Sequence, residues 1–280
     1  MSPSTSCGCS IAGRGSVGST HRDAELEAAL QAALDAGNSV WVVGDVHGCR
    51  QTFETLLDKL ELGEGDMVLC VGDLVDRGPD SHGVLTIVHE SDEIRSLMGN
   101  HEKIMANALR DSSTRSAFFW QNRIGGSQTL DSFPGNAEQQ RQRAIEWLEF
   151  TDAMPTEVIL DRFRIVHAGY QTHLPLEDQT DEDRLRSRTV FLAERPLDDQ
   201  RQIIAGHTPV QKLGTFGVEP PADGIWASEV TTADGRPAVL IIDTGVVLER
   251  SLRPRLSTID LQTGRVEEVE RIETFNEAPD

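Results

Sequence analysis

At 280 residues the chain can bury one large core or two small ones, and its composition excludes fibrous, collagenous and wholly disordered classes. The 46 acidic residues against 26 basic ones leave a formal charge of −20, which repels nucleic acid and disfavours DNA or RNA as a partner. No apolar run approaches the ~20 residues needed to cross a bilayer, so a membrane role is not expected either.

The chain opens with "MSPSTSCGCSIAGRGSVGST", which lacks the continuous apolar stretch of a secretory signal and reads as a flexible, low-complexity tail. Its "GRGSVG" matches a dinucleotide fingerprint in form only, because that pattern needs a strand before it and a helix after it to bring a pyrophosphate to a helix N-terminus. Cys7 and Cys9 fall in this tail and read as disordered thiols; Cys49 and Cys70 sit beside apolar runs. No spacing among the four suggests a disulfide framework or a zinc site, which fits a reducing cytoplasm as the expected location.

From Asp23 the pattern alternates helix and strand, which predicts an α/β layered fold. "AELEAALQAALDAG" has the Leu and Ala spacing of an amphipathic helix closed by Gly37. "SVWVVGDVHGC" is a β-branched strand that ends at Gly44 and presents Asp45 and His47. "QTFETLLDKLEL" places Phe53, Leu56, Leu57 and Leu60 on one helical face. "DMVLCVGD" then ends at Asp73 and runs on through Asp76 and Arg77; "EIRSLMGNHE" ends at Asn100 and His101.

Between these and the next strand, "IMANALRDSSTRSAFFWQN" and "EQQRQRAIEWLEF" read as two helices separated by "GGSQTLDSFPGN". Phe118, Phe119, Trp120 and Trp147 recur at helical spacing and are expected in the core rather than along a groove. "FRIVHAG" ends at His167 and "RQIIAGHTP" at His207, followed by the turn-rich "LGTFGVEPPADGIWASEVTTADGRP". The expected organisation is a tail over 1–22, one domain over 23–270 and a short flexible tail over 271–280.

Five apolar runs therefore stop at a metal-capable residue beside glycine. Taken singly, an Asp after a strand is a helix cap and a His before Gly is structural. Independent capping does not explain why all five carry Asp, His or Asn, since Ser and Thr cap equally well. Ligands in α/β sheets bind beyond the carboxyl ends of strands, so the five endings are expected to meet.

Carboxylate, imidazole and amide oxygen together suit divalent Mn, Fe or Zn without thiolate. Two ions ~3.5–4 Å apart need one bridging carboxylate with terminal ligands on either side. Asp45 and His47 suit one ion, Asn100, His167 and His207 the other, and Asp73 the bridge.

In this order "GDVHG", "GDLVDRG", "GNHE", "HAG" and "GHT" resemble the metallophosphoesterase superfamily, and within it the phosphoprotein phosphatase branch, with its bacterial serine/threonine phosphatases and symmetrical diadenosine tetraphosphatases. The resemblance runs from about Ser39 to "AVLIIDTGVV" and "LSTIDLQTGRV". It implies a calcineurin-like sandwich of two mixed β-sheets flanked by helices, and the same partition of ligands over two divalent ions, Mn²⁺ first with Fe or Zn as alternatives.

The resemblance further implies in-line attack by a metal-bridging hydroxide, with His101 protonating the leaving oxygen and Asp76 holding His101. Arg77, Asn100 and a second arginine would bind the phosphate. "LRSRTVFL" resembles the segment that supplies this arginine, and alignment on Phe191 and Leu192 favours Arg188 over Arg186.

Symmetrical tetraphosphatases of this branch tend to carry alanine where Asp76 stands and aspartate where Glu102 stands. "VDRG" and "GNHE" thus place a serine/threonine phosphoprotein phosphatase first and a diadenosine tetraphosphate hydrolase second. A non-catalytic scaffold of the same fold ranks last, since every expected ligand and His101 are present. The expected partner is a phosphoprotein or small phosphoester, and the expected state a monomer.

Overall fold

The structure, a computed structural model, describes residues 21–274. The N-terminal "GRGSVG", Cys7 and Cys9 lie outside these residues.

The chain opens with α1 (Ala24–Asp35), capped by the Asp23 carboxylate, which accepts from the Glu25 and Leu26 N–H groups at 3.0 Å each. There follow β1 (Val40–Val43), α2 (Arg50–Leu60), β2 (Met67–Cys70), α3 (Ser81–Glu90) and β3 (Ile94–Ser96). Next come α4 (Asn100–Arg110), α5 (Arg115–Phe119), a π-helical turn over Trp120–Ile124, α6 (Gly126–Asp131), α7 (Ala137–Glu146) and α8 (Leu148–Ala153). The second half holds β4 (Glu157–Ile159), β5 (Phe163–Val166), α9 (Asp181–Arg186), β6 (Gln202–Ala205), β7 (Trp226–Ala227), β8 (Val239–Ile241), β9 (Arg255–Asp260) and β10 (Val266–Glu270).

Two mixed sheets result, in strand order β10-β9-β1-β2-β3 and β4-β5-β6-β8-β7. In the first, β1, β2 and β3 are parallel; in the second, β5, β6 and β8 are parallel. Strand residues point alternately to opposite faces, and here both faces are covered, which is why the parallel strands read as continuous apolar runs. Val40 and Val42 pack with Leu69, Ile165, Ile204 and Leu240 between the sheets. Trp41 and Val43 point the other way, against Phe53 and Leu56 of α2 and Val84 and Leu85 of α3. The outer face of the second sheet is covered by Tyr170, Val190, Phe191 and Leu213.

Several expectations change. The helix expected to run through "IMANALRDSSTRSAFFWQN" stops at Arg110, because Asp111 accepts from Ser113 and Thr114 caps a new helix by accepting from Ala117 N–H at 3.1 Å. The separator "GGSQTLDSFPGN" contains α6, and the second expected helix divides into α7 and α8 at Trp147.

The aromatic residues of this region do not share one fate: Trp120 is buried and Trp147 packs edge-on against His82, His89 and Phe150, whereas Phe118 is 69% and Phe119 54% exposed. A helix of five residues has too few turns to bury every apolar side, so Ala117 takes the inward position and the two phenylalanines face water. Trp226 is half-buried on β7, the edge strand that the turn-rich insertion contributes antiparallel to β8.

The C-terminal tail does not begin at 271. Arg271 and Glu273 are buried, and the Glu273 carboxylate accepts from the Thr52 N–H at 3.0 Å and from its hydroxyl, fastening residues 271–274 to the start of α2. At the other end the His21 carbonyl accepts from Thr156 N–H at 2.9 Å, so the packed body starts before Asp23. Among the described residues no helix is long and apolar enough to cross a membrane.

Candidate active site

The parallel strands of both sheets point their carboxyl ends at one place. The segments after β1, β2, β3, β5 and β6 bring Asp45, His47, Asp73, Asn100, His101, His167 and His207 together, all but His207 buried below one-tenth exposure. The Asp73 carbonyl joins the first two segments by accepting from the Val46 and His47 N–H groups at 3.2 and 2.8 Å. Of the seven non-glycine residues with positive φ among the described residues, five are here: His47, Asp73, Asp76, Arg77 and His207. Each such conformation costs roughly 1–3 kcal/mol, so the surrounding fold stabilises a backbone that local preference opposes. Gly72 and Gly99 allow the β2 and β3 loops to touch, since a Cβ on either would collide with the other loop's backbone.

His47 donates from Nδ1 to the Val75 carbonyl at 3.0 Å, and His167 from Nδ1 to the Val71 carbonyl at 3.0 Å. These bonds orient both rings so that the Nε2 lone pairs face the centre. His167 Nε2 lies 2.9 Å from Asn100 Oδ1, 3.2 Å from His207 Nδ1 and 3.4 Å from Asp73 Oδ1. On the other side of Asp73, its Oδ2 lies 3.7 Å from His47 Nε2 and 3.9 Å from His101 Nε2. Asp45 Oδ2 is 4.0 Å from His47 Nε2, and its carboxylate is aimed by the His207 N–H at 3.0 and 3.2 Å.

Two groups, His47 with Asp73 and His101, and Asp73 with His167 and His207, are spaced to hold metal ions, and Asp73 is common to both. Burial keeps His47, His167 and His207 below the usual histidine range, so they present neutral imidazoles. Burial would raise Asp73, but the surrounding imidazoles hold it well below the carboxylate range. Asp45 is pushed up, first by burial and then by the charges of Asp243 and Asp73. Crowded buried carboxylates and inward lone pairs leave negative charge that the chain alone does not neutralise, which is the environment a divalent cation relieves.

Beside this basket, His101 Nδ1 donates to Asp76 Oδ2 at 2.8 Å. Asp76 is completely buried and its carboxylate is filled by two further donors: Trp120 Nε1 at 3.0 Å to both oxygens and Thr129 Oγ1 at 2.6 Å. The π-helical turn that begins at Trp120 brings this indole to Asp76, a use of such turns that recurs at functional sites. The two site arginines are exposed instead: Arg77 Nη1 reaches His47 Nε2 at 3.0 Å, and Arg188 Nη1 donates to Thr208 Oγ1 at 3.2 Å. Arg186 pairs with Glu182 at 2.6 Å.

Residues 39–236 match the calcineurin-like phosphoesterase family. The chain belongs to it. Among curated relatives of this phosphoesterase, serine/threonine-protein phosphatase 2 of Salmonella typhimurium is 33% identical over 194 residues, covering 65% of this chain and 85% of that one. Serine/threonine-protein phosphatase 1 of the same organism is 42% identical over 79 residues, 27% of this chain and 35% of that one. The symmetrical bis(5'-nucleosyl)-tetraphosphatase of Delftia acidovorans is 29% identical over 138 residues, 47% of this chain and 44% of that one.

A solved serine/threonine phosphatase from Saccharomyces cerevisiae shares the fold, with a TM-score of 0.50 at 16% identity over 90% of this chain and 91% of that one. Metallophosphoesterases use divalent metals, and the two side-chain groups around Asp73 are arranged to hold them.

Two residues of this phosphoesterase site escaped sequence reasoning as parts of it. Asp243, 4% exposed, follows β8 and faces Asp45, Asp73, Arg77 and Arg188; burial pushes its carboxyl up to about 6. Its signal was present, since "AVLIIDTG" ends like the other strands. Glu102 serves as more than a subfamily marker. Its buried carboxylate accepts from the N–H groups of Asp73, Leu74, Val75 and Gly99 at 2.9, 2.8, 3.2 and 2.8 Å, tying α4 to the Asp73 loop. No spacing rule reveals four backbone donors on one carboxylate.

Proposed function

We propose that this phosphoesterase is a serine/threonine phosphoprotein phosphatase that hydrolyses phosphomonoesters. The single observation that carries the reading is the Asp76–His101 pair, closed at 2.8 Å beside Asp73 and locked by Trp120 and Thr129. An alkoxide leaving group from serine or threonine needs an oriented acid, and a positioned acid contributes typically 10²–10⁴ in rate.

Asp45, His47, Asp73, Asn100, His167 and His207 would hold two divalent ions, with Mn²⁺ the first choice. When bound, such ions activate water and neutralise charge developing on the phosphoryl group. His101 donates a proton from Nε2 to the departing oxygen, while Asp76 keeps the Nδ1 proton in place and stabilises the ring. Arg77 and Arg188, open to solvent at the rim, grip phosphate oxygens and orient phosphorus, with Asn100 beside them.

A second reading, symmetrical diadenosine tetraphosphate hydrolysis, is favoured by the similarity to the Delftia enzyme. The two separate in one experiment: steady-state hydrolysis with added Mn²⁺ of a phosphoserine peptide, para-nitrophenyl phosphate and diadenosine tetraphosphate. Higher kcat/KM for the monoesters is the expected result. A preference of orders of magnitude for the dinucleotide would overturn the first reading and leave the second.

A further inference from the structure

We propose that an open groove beside the site binds an acidic peptide segment flanking the phosphorylated residue, with an apolar side chain seated between Phe118, Phe119, Ile104 and Ile124. The proposal rests on the phosphoprotein phosphatase reading and names its substrate class. The groove, with a volume of about 570 Å³, is lined by these four residues, by Asn107 and Ser116, and by Arg115, Arg123 and Arg186.

Each wall grows out of an element that also carries a site residue. Residues Asn100, Ile104 and Asn107 lie on one face of α4, so the groove continues from the site along that helix at ~5.4 Å per turn. The π-helical turn that sets Trp120 on Asp76 also presents Arg123 and Ile124. Arg186 precedes Arg188 by two residues.

Charge identifies the occupant. The chain carries a net −20, yet three guanidiniums and no carboxylate line this groove among the described residues. Arg115 and Arg123 are exposed, and neither guanidinium has a hydrogen-bond or ion-pair partner among the described residues. Arginine forks suit carboxylates held side-on, as an extended Asp- and Glu-rich segment would offer them. The exposed phenylalanines supply apolar contact area of the kind found at binding surfaces rather than scattered singly. They are consecutive on one helix and project ~100° apart, so they do not sandwich a nucleobase.

The test is a fluorescence-anisotropy titration of the full chain with a labelled, unphosphorylated peptide rich in Asp and Glu around one Leu, against a counterpart with Lys at every acidic position. The acidic peptide is expected to bind more tightly, with affinity falling as salt rises. Arg115→Glu/Arg123→Glu is expected to weaken it about tenfold, as two reversed surface charge pairs would.

In turnover, the same variant should raise KM for the phosphorylated acidic peptide and leave para-nitrophenyl phosphate within about twofold of wild type. Phe118→Ser/Phe119→Ser, which removes no charge and no buried group, repeats the test should the first variant melt early. Equal binding of both peptides, or unchanged binding in both variants, overturns the proposal. So does a loss confined to diadenosine tetraphosphate, or a dimer in sedimentation that the serine variant dissolves. If wild type hydrolyses neither monoester, the proposed function falls while the binding titration still decides the groove.

Discussion

The metal basket and the arginine groove meet at α4, yet they are built by opposite means. The basket is largely buried and drawn from strand ends of both sheets, and five left-handed non-glycine residues lie in or beside it. The groove is open, lies within the helical insertion between β3 and β4 plus the end of α9, and presents the Arg115 and Arg123 guanidiniums without a partner among the described residues. Chemistry on a phosphoryl group needs fixed geometry and low dielectric, so its residues are enclosed. Recognition of a flanking segment needs reach and exposed charge, so its residues are not.

The largest test of that contrast is Asp73→Asn, which removes the carboxylate shared by both metal groups. Turnover of para-nitrophenyl phosphate should fall at least ~10⁴-fold, from several kcal/mol of lost charge stabilisation, with bound metal measured by elemental analysis dropping in parallel. His101→Ala should cost about 10³-fold in kcat while metal content and Tm stay near wild type, because Asp45, His47 and Asp73 remain to hold the ion on that side. Retained activity would remove His101 from the mechanism.

Trp120→Phe takes one N–H from Asp76 and leaves the packing, so kcat should drop roughly tenfold, the effect of one hydrogen bond to a charged group. Its pH profile should shift along with kcat, which a packing defect alone would not do.

Asp243→Asn reports on electrostatics. The folded-state pKa of Asp243 is raised to about 6 by burial and the Asp73 charge, against the pull of Arg77 and Arg188. The stability cost of ionising it therefore builds as pH rises from the ordinary carboxylate value to about 6, is fully present above that, and is absent below the ordinary value. The variant should raise Tm of metal-free protein at pH 8 by roughly 2–6 °C, equivalent to about 1–3 kcal/mol, and lose that advantage between pH 6 and pH 4.

The buried neutral histidines act with the opposite sign. Held below their unfolded value, they lower stability as pH falls below ~6.5, so the difference between variant and wild type, not either curve, isolates Asp243. The smallest effect is expected for Phe118→Ser/Phe119→Ser, within ±0.5 kcal/mol by thermal melting, because both rings are exposed. A larger loss would mean that the groove is structural.

The basket was legible because its residues punctuate strands. An apolar run, a glycine and a ligand-type residue form a local pattern, and parallel strands must present those ends on one side. The same pattern at "AVLIIDTG" shows that Asp243 was within reach. The groove was not legible. Aromatic residues at helical spacing predict burial only for a helix long enough to define a face, and the break at Asp111–Thr114 cut this one short. The tail expected from 271 failed for a related reason, since Glu273 finds its donors on Thr52, far away in sequence.

Composition, strand punctuation and residue type alone determined an acidic α/β protein whose strand ends carry residues of the types that bind divalent ions, because those signals act over a few residues. Only the tertiary structure decided that Glu102 binds three consecutive amides of the Asp73 loop and the Gly99 N–H, that the Trp120 indole donates to Asp76, and that Glu273 is held by Thr52. Those are matters of distance between segments remote in sequence, set when two sheets close over one core and force the intervening turns into conformations that no local preference would choose.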